Sequence, residues 1–341
     1  MAATDTLHTE YEALTQRCGL VDRSERGKLA LTGSGAVEFL NGQVTNELTD
    51  LRSGEGRYAA FLTNKGKMLG DLRILAVEGA GIGGFDSNGP PTELLLDTER
   101  VALQALFDMI RRYKIGYEVE LHKRTVERGL LSLIGPDARA CVAPNTLPEV
   151  EHAHAPAAIG GAPARLIATA DGVDVLFETP DIDAVRTALV QAGAIPASEA
   201  AAEIVRVERG RPRYGVDLDE STIPQEAGLN ERAVSFTKGC YVGQETVARL
   251  YYRGKPNRHL RGLRFLEPPD PSPPPAPGEE LRLGERPVGH LSSIVESPRL
   301  GTIALALVRR EASPGDTLAV GGRVATAELV ELPFRPALML Q

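Results

Sequence analysis

The chain has 341 residues, 42% hydrophobic and 25% charged, with a formal net charge of −8 at pH 7. The composition excludes a disordered chain, the negative charge disfavours a general nucleic-acid binder, and no apolar run reaches the roughly 18 residues that a membrane helix needs. At about 100–200 residues per domain the length suits two or three folding units, and with no Trp and 5% aromatics the core must be mostly Leu, Val, Ala and Ile.

The polar leader, residues 1–11, carries Asp5 and Glu10 and has neither the apolar core of a signal peptide nor the Arg-rich face of a transit peptide. Residues 28–32 predict a strand, and Gly33-Ser-Gly35 leads into a helix with Ala36, Val37, Phe39 and Leu40 on one face. Residues 57–62, 68–77 and 93–96 are strand-like. Asp97-Thr98-Glu99 then opens a helix with Val101, Leu103, Leu106, Phe107 and Ile110 mostly on one face, and with Thr98 as its N-cap. Gly79-Ala-Gly-Ile-Gly-Gly84 fits a dinucleotide fingerprint, but residues 85–91 cannot start the helix that this chemistry requires, so a hairpin loop is expected.

The pattern then repeats. Residues 129–134 predict a strand, Gly135-Pro-Asp137 opens a short helix running to Val142, and strands at 165–169 and 173–178 flank the turn Asp171-Gly172. Thr179-Pro-Asp181 starts a helix with Ile182, Val185, Leu189 and Val190, stopped by Gly193. Residues 144–163, rich in Ala, Pro and Gly, predict an exposed loop; its His152-Ala-His154 lacks a third ligand, so no metal site is expected. A helix at 198–208 follows. Residues 210–233 are dense in Gly, Pro, Asp and Glu yet carry spaced Val216, Leu218, Ile223 and Leu229, which predicts an ordered, functional loop. Short strands at 259–266, 280–283, 287–295, 301–308, 317–320 and 323–332 predict a small barrel, with the prolines of 268–277 as a stiff loop inside it. The expected fold class is α+β. Two similar β-α-β-β-α lobes (1–118 and 119–197) precede a helix and functional loop packing on the first lobe (198–256), and a C-terminal antiparallel β-barrel (257–341) ends the chain.

Cys18, Cys141 and Cys240 stand at unrelated spacings, which makes neither a disulfide framework nor a zinc site and points to a reducing compartment, the cytoplasm. Cys240 is set apart by its neighbours. The run Lys238-Gly239-Cys240-Tyr241-Val242-Gly243-Gln244-Glu245 places a thiol near two glycines, two residues from a lysine and just before a helix expected at 244–250. A lysine charge and a helix N-terminus both favour thiolate, below the free pKa of about 8.5. Such a thiolate can be a nucleophile, a redox group or one ligand of a soft metal centre; the plain alternative is a small buried residue.

This segment resembles the K-G-C-[FY]-x-G-Q-E signature of the YgfZ family, folate-binding proteins of iron–sulphur cluster assembly or repair. Arg213-Tyr-Gly-Val-Asp-Leu-Asp219, Thr222-Ile-Pro-Gln-Glu226, Val234-Ser-Phe-Thr-Lys238 and Phe39-Leu-Asn-Gly-Gln-Val-Thr-Asn46 extend the resemblance over essentially the whole chain. That family is in turn similar to the aminomethyltransferase (T-protein) of the glycine cleavage system, which implies a three-lobed ring around a folate channel. The resemblance further implies tetrahydrofolate or a folate derivative as cofactor and iron–sulphur client or assembly proteins as partners. It places Cys240 and Lys238 at the functional surface; from the charge and hydropathy no direct nucleic-acid or membrane contact is expected, and a monomer is expected.

Val207-Glu208-Arg-Gly210 resembles the L-E-x-G stretch whose glutamate holds the pterin, a task that suits a carboxylate because it accepts two parallel N–H bonds. A solvated helix-end glutamate is the alternative there. Tyr214 and Asp71 are the other implied folate contacts. Lys65-Gly-Lys-Met-Leu-Gly-Asp71 resembles the G-G-I-x-D-D segment with the T-protein's catalytic aspartate; Gly70 replaces one acid, and Asp71 has pairing with Arg73 or Lys67 as its alternative role. The resemblance implies a tetrahydrofolate-binding accessory protein for iron–sulphur clusters that uses Cys240. The alternatives are a tetrahydrofolate-dependent aminomethyl or one-carbon transferase with Asp71 as acid or base, and a scaffold with a vestigial folate pocket.

Overall fold

Short runs of Leu, Val, Ile and Ala build two sheets and a barrel along this chain. The structure, a computed structural model, describes residues 2–78, 91–142, 147–266, 274–322 and 326–334, with side chains from Asp5 onward. Two compact units result: Met1–Ala202 with Glu231–Gln244, and Glu203–Asn230 with Glu245–Gln341.

In the first unit, one sheet has the strand order Gly56–Leu62, Met68–Val77, Glu93–Thr98, Gly27–Thr32, Glu120–Lys123, all antiparallel. The other runs Ile195–Pro196, Gly19–Asp22, Arg128–Ile134, Gly172–Glu178, Ala162–Thr169, His154–Ile159, antiparallel except for its first, parallel pair. Arg128–Ile134 is buried at every residue and Met68–Val77 at all but one, because both faces of each sheet are covered. Ala30, Leu75, Val77 and Leu95 of one sheet pack on Leu130, Ile167 and Leu176 of the other. On the outer side of the second sheet, the Ile182–Gln191 helix buries Val185 and Leu189 among Leu131, Val173 and Val175.

One inter-sheet contact is ionic. Arg73 donates to Asp97 of its own sheet at 2.7 Å and to Asp174 of the facing sheet at 2.7 Å, and Ser132 donates to the other Asp174 oxygen at 2.6 Å. Asp97 also accepts from Arg26 at 2.8 Å. Buried ions must be paired in this way, since an unpaired one carries the full cost of leaving water.

The second unit holds a closed six-stranded antiparallel barrel in the order Arg258–Phe265, Gly301–Arg309, Arg286–Ser297, Glu280–Leu283, Thr317–Val320, Thr326–Val330. Leu263, Leu281, Leu291, Val320 and Leu329 fill it, with Ala304 and Ala306 leaving them room. Residues 210–229 have no long regular element but are ordered by side chains. Asp217 alone accepts from Arg206 at 2.6 Å, from the Arg213 amide at 2.9 Å, and from Ser292 and Ser293 at 2.6 and 2.7 Å. Leu218, Ile223 and Leu229 are buried there, while Val216 is exposed.

The α+β class and the closed C-terminal barrel are as expected. Several local expectations are corrected. The leader forms a helix, Ala2–Gln16, that buries Tyr11, Ala13 and Leu14. Both sheets lie in one compact unit, and the early Gly19–Asp22 strand pairs with Arg128–Ile134 in the second of them. The boundary between the units crosses residues 198–256. Thr98 caps no helix: it ends a strand, its hydroxyl donates to the Asp71 carbonyl at 2.5 Å, and a 3-10 turn, Arg100–Ala102, precedes the Leu103–Tyr113 helix. The short helix expected up to Val142 is a series of turns, too short to offset the cost of nucleation. Within the expected loop at 144–163, His154–Ile159 is a strand; Pro156 is tolerated because this strand is the sheet's edge. Cys18 and Cys141 are free thiols, buried in the same apolar cluster despite their separation in sequence. The glycines at 79–84 and most of the proline-rich loop, residues 267–273, lie outside the described residues.

Arg73→Met leaves Asp174 and half of Asp97 without a cation. The expected result is a loss of about 3–5 kcal/mol from the first unit in urea unfolding, as for other broken buried ion pairs; an unchanged midpoint would show that the sheets hold together without this contact.

Candidate functional site

Asp71 lies on the Met68–Val77 strand opposite Ala60, while Arg73 lies opposite Tyr58. Tyr58 and Asp71 are therefore diagonal neighbours on one face, within reach for a long aromatic side chain. The Tyr58 hydroxyl donates to the Asp71 carboxylate at 2.7 Å. Asp71 is buried, 6% exposed. Burial pushes its pKa up to about 6, against the Tyr58 hydrogen bond and the Arg26 charge, which favour the ionised form; the neighbouring acids Glu99 and Asp97 push it further up. Between the ordinary value of 3.8 and about 6 the folded state holds a proton that the unfolded state has lost, so Asp71's contribution to stability falls as pH rises through that window. The pairing partner is thus Tyr58, not Arg73 or Lys67. Burial and the Asp71 charge hold the Tyr58 hydroxyl well above its usual pKa.

Gly70, which stands where the resembling motif has an acid, is fixed by space. A Cβ there would lie 2.6 Å from both the Ala102 Cβ and the Phe61 ring.

Three residues that sequence reasoning did not assign complete this cluster. The ring centroids of His152 and Tyr58 are 6.2 Å apart, and the Arg232 guanidinium lies 5.1 Å from the Tyr58 ring centroid. Arg232 is held by Glu151 at 3.1 Å. His152 has a backbone φ of 72°, and its Nδ1 is buried without a hydrogen-bond partner among the described residues. Burial and the charges of Arg73 and Arg232 push its pKa down to about 4, against the pull of Glu151 and Asp174. His154 belongs elsewhere: its ring bonds the Glu55 carbonyl at 3.1 Å and accepts from Arg165 at 2.8 Å. Sequence offered no signal for this grouping, since it arises from strand register and from a loop of the facing sheet.

The cysteine motif is built on a buried lysine. Lys238 Nζ donates to the carbonyls of Asn41, Val44 and Asn46 at 2.7, 2.9 and 2.6 Å. Burial pushes its pKa down to about 8, against the Glu47 charge. Its ammonium, expected to act on the thiol, is committed to these three carbonyls. Tyr241 is buried with its ring centroid 5.3 Å from Nζ, and burial pushes its hydroxyl up to about 12. Gly243 adopts a φ of 83° with the Thr63 carbonyl where a Cβ would sit, at 2.5 Å, so the turn admits only glycine without strain. Gln244 reaches back to the Gly239 carbonyl at 3.4 Å, and Gln244–Arg253 forms the following helix, with Glu245 exposed in its first turn. Cys240 is exposed, which overturns its reading as a small buried residue. Around Gly239 a Cβ would meet open space, and we find no structural reason for glycine at that position.

The turn at 41–46 ties the motif to the Asp71 cluster. Asn46, whose carbonyl binds Lys238, donates its side-chain amide to the Tyr58 carbonyl at 2.8 Å and to the Arg232 carbonyl at 3.3 Å. Thr45 bridges the Ala60 amide and the Ala233 carbonyl. Glu208 and Tyr214, by contrast, belong to the second unit. Glu208 is buried, not a solvated helix end; it accepts from Ser297 at 2.5 Å and from Arg299 at 3.0 Å. Tyr214 is buried and bridges to Leu218. Among the described residues no group of three His, Cys, Asp or Glu is arranged to hold a metal ion, and no helix is long and apolar enough to cross a membrane.

Residues 1–238 match the GCVT N-terminal domain, and residues 258–335 match the glycine cleavage T-protein C-terminal barrel domain. The chain belongs to the glycine cleavage T-protein family. This is a family of folate-dependent aminomethyltransferases. Relatives include an aminomethyltransferase of Thermotoga petrophila, 28% identical over 96% of this chain and 89% of that protein, and one of Streptomyces coelicolor, 29% identical over 95% and 88%. The crystal structure of the glycine cleavage system aminomethyltransferase T from Bartonella henselae matches with a TM-score of 0.81 at 22% identity, covering 96% of this chain and 89% of that one, which establishes the T-protein-like fold.

Lys238→Met strips three buried carbonyls of their charged donor. A loss of about 3 kcal/mol or more is expected in thermal or urea unfolding. A variant as stable as the parent but altered only in Cys240 reactivity would instead make the lysine an activator of the thiol.

Proposed function

We propose that this chain binds tetrahydrofolate through its first unit and carries out one-carbon transfer of the aminomethyltransferase type, with Asp71 as the acid–base group. The observation that carries this reading is the buried Tyr58–Asp71 pair, whose carboxyl has a pKa of about 6. A general acid–base group works best with a pKa close to the working pH, and burial of a carboxyl is the usual way to reach it. The fit to a reduced pterin is chemical. Its ring edge is rich in N–H donors, and the cluster offers two buried acceptors, the Asp71 carboxylate and the open Nδ1 of His152.

Bound tetrahydrofolate would supply the nitrogen that exchanges the one-carbon unit. Asp71, largely ionised at neutral pH, would accept a proton from a nitrogen that bonds carbon and return it in the reverse direction. Tyr58 keeps the carboxylate aimed through its 2.7 Å hydrogen bond, and burial keeps bulk water from competing for the proton. That the similar proteins of Thermotoga petrophila and Streptomyces coelicolor are aminomethyltransferases favours this reading over a purely accessory one.

A second reading rests on Cys240. An exposed thiol on a turn fixed by Lys238 and Gly243 has no part in aminomethyl transfer, and together with the K-G-C-Y-x-G-Q-E resemblance it supports a role in iron–sulphur cluster assembly or repair.

One set of experiments separates the two. Calorimetry with tetrahydrofolate, and transfer to it from an aminomethyl donor, are measured on wild type, Asp71→Asn and Cys240→Ala. The transferase reading expects all three to bind within a few-fold, Asp71→Asn to lose about 10²-fold or more in rate, and Cys240→Ala to transfer normally. Binding without any transfer by wild type, with rescue of an iron–sulphur-defective strain by wild type but not by Cys240→Ala, would favour the second reading.

A further inference from the structure

His152 stands out because it carries two unfavourable features at once. Its φ of 72° is a left-handed conformation, uncommon outside glycine although less so for Asn, Asp and His than for other side chains. Its Nδ1 is buried with no partner among the described residues, and a buried unpaired nitrogen is costly. The surroundings enforce the backbone. The His152 amide donates to the Ala168 carbonyl at 2.8 Å, the next residues are pinned by Ala153 N–H to Val150 and His154 N–H to Gly54, and the His152 carbonyl occupies the space beside Gly56 that a Cβ would need. Strain of this kind, held in place by its neighbours beside a buried acid–base pair, is the pattern of a functional position.

We propose that His152 is a ligand-binding residue of the Asp71 site, its Nδ1 accepting a hydrogen bond from a ring N–H of the bound pterin. This rests on the tetrahydrofolate reading above. The acceptor role needs the Nε2–H tautomer, and the carboxylate of Glu151 lies on the Nε2 side of the ring at 3.9 Å. The cations Arg73 and Arg232 and the burial of the ring keep the imidazole uncharged at neutral pH, so Nδ1 remains an acceptor. His152 thereby adds a second acceptor across the Tyr58 ring, 6.2 Å from it between centroids, on the facing sheet's side of the cluster, and the ligand class it selects is a donor-rich heterocycle.

The test uses the full chain, tetrahydrofolate calorimetry, and thermal unfolding without ligand. His152→Gly removes the ring and suits the positive φ. His152→Asn also suits it and returns an acceptor oxygen close to the Nδ1 position. The expected result is an affinity about tenfold weaker for His152→Gly, as for one lost hydrogen bond, with a Tm equal to or above that of wild type. His152→Asn is expected to bind within about threefold of wild type, since it retains the acceptor. Wild-type affinity in His152→Gly would overturn the proposal and leave Nδ1 to an ordered water. Equal losses in both variants, tracking a fall in Tm, would overturn it in favour of a structural role. A wild-type chain that binds no tetrahydrofolate would remove the folate reading and this proposal together, an outcome distinct from the other two.

Discussion

Arg73 is the contact on which the arrangement of the first unit turns. It stands in the centre of an apolar strand, yet its two guanidinium ends reach Asp97 in its own sheet and Asp174 in the facing one, both at 2.7 Å. A charge so deep must be matched, and the matching dictates the polar residues around it: Asp97 shared with Arg26, and Asp174 secured by Ser132. Apolar packing brings the sheets together, but this network fixes their register, because ion pairs tolerate far less sliding than leucines do. Asp71 follows from the same geometry. It lies two residues from Arg73 on the same strand face, so it faces the same buried space and feels the same fields: Arg26 drawing its pKa down, Asp97 and Glu99 pushing it up, and burial dominating.

The second organising feature is the turn at 41–46. Its carbonyls accept the Lys238 ammonium, while Asn46 and Thr45 hold the backbone at Tyr58, Ala60, Arg232 and Ala233. The lysine of the cysteine motif therefore belongs structurally to the scaffold that holds Tyr58 and Arg232, and the exposed thiol is carried on the outside of that same scaffold.

Sequence made the barrel legible because its strands alternate and its turns are marked by Gly and Pro. It also singled out Asp71, through Lys65-Gly-Lys-Met-Leu-Gly-Asp71, and Cys240, through its unusual neighbours. What it concealed was set by tertiary contact. Ala2–Gln16 carries few apolar residues, so its role as a packed helix depends on Tyr11 and Leu14 finding a surface. The hydroxyl of Thr98 was free to cap a helix until strand pairing placed it on the Asp71 carbonyl. Tyr58, His152 and Arg232 come from three distant segments, and no spacing rule links them. Lys238 sits two residues from the thiol in sequence, but burial turns its ammonium toward carbonyls near residue 44, a direction that composition cannot encode.

The central claim is that Asp71 is a buried acid–base group tuned by Tyr58 and placed to meet a reduced folate. The most direct measurement is the pH titration of the Asp71 carboxyl carbon by NMR in labelled protein, with and without tetrahydrofolate. The account predicts a midpoint near 6 in the free protein, well above the ordinary 3.8, and a clear displacement of that midpoint when tetrahydrofolate is added. A midpoint near 3.8 that ignores the ligand would contradict it, and would leave the Tyr58–Asp71 pair as a structural hydrogen bond.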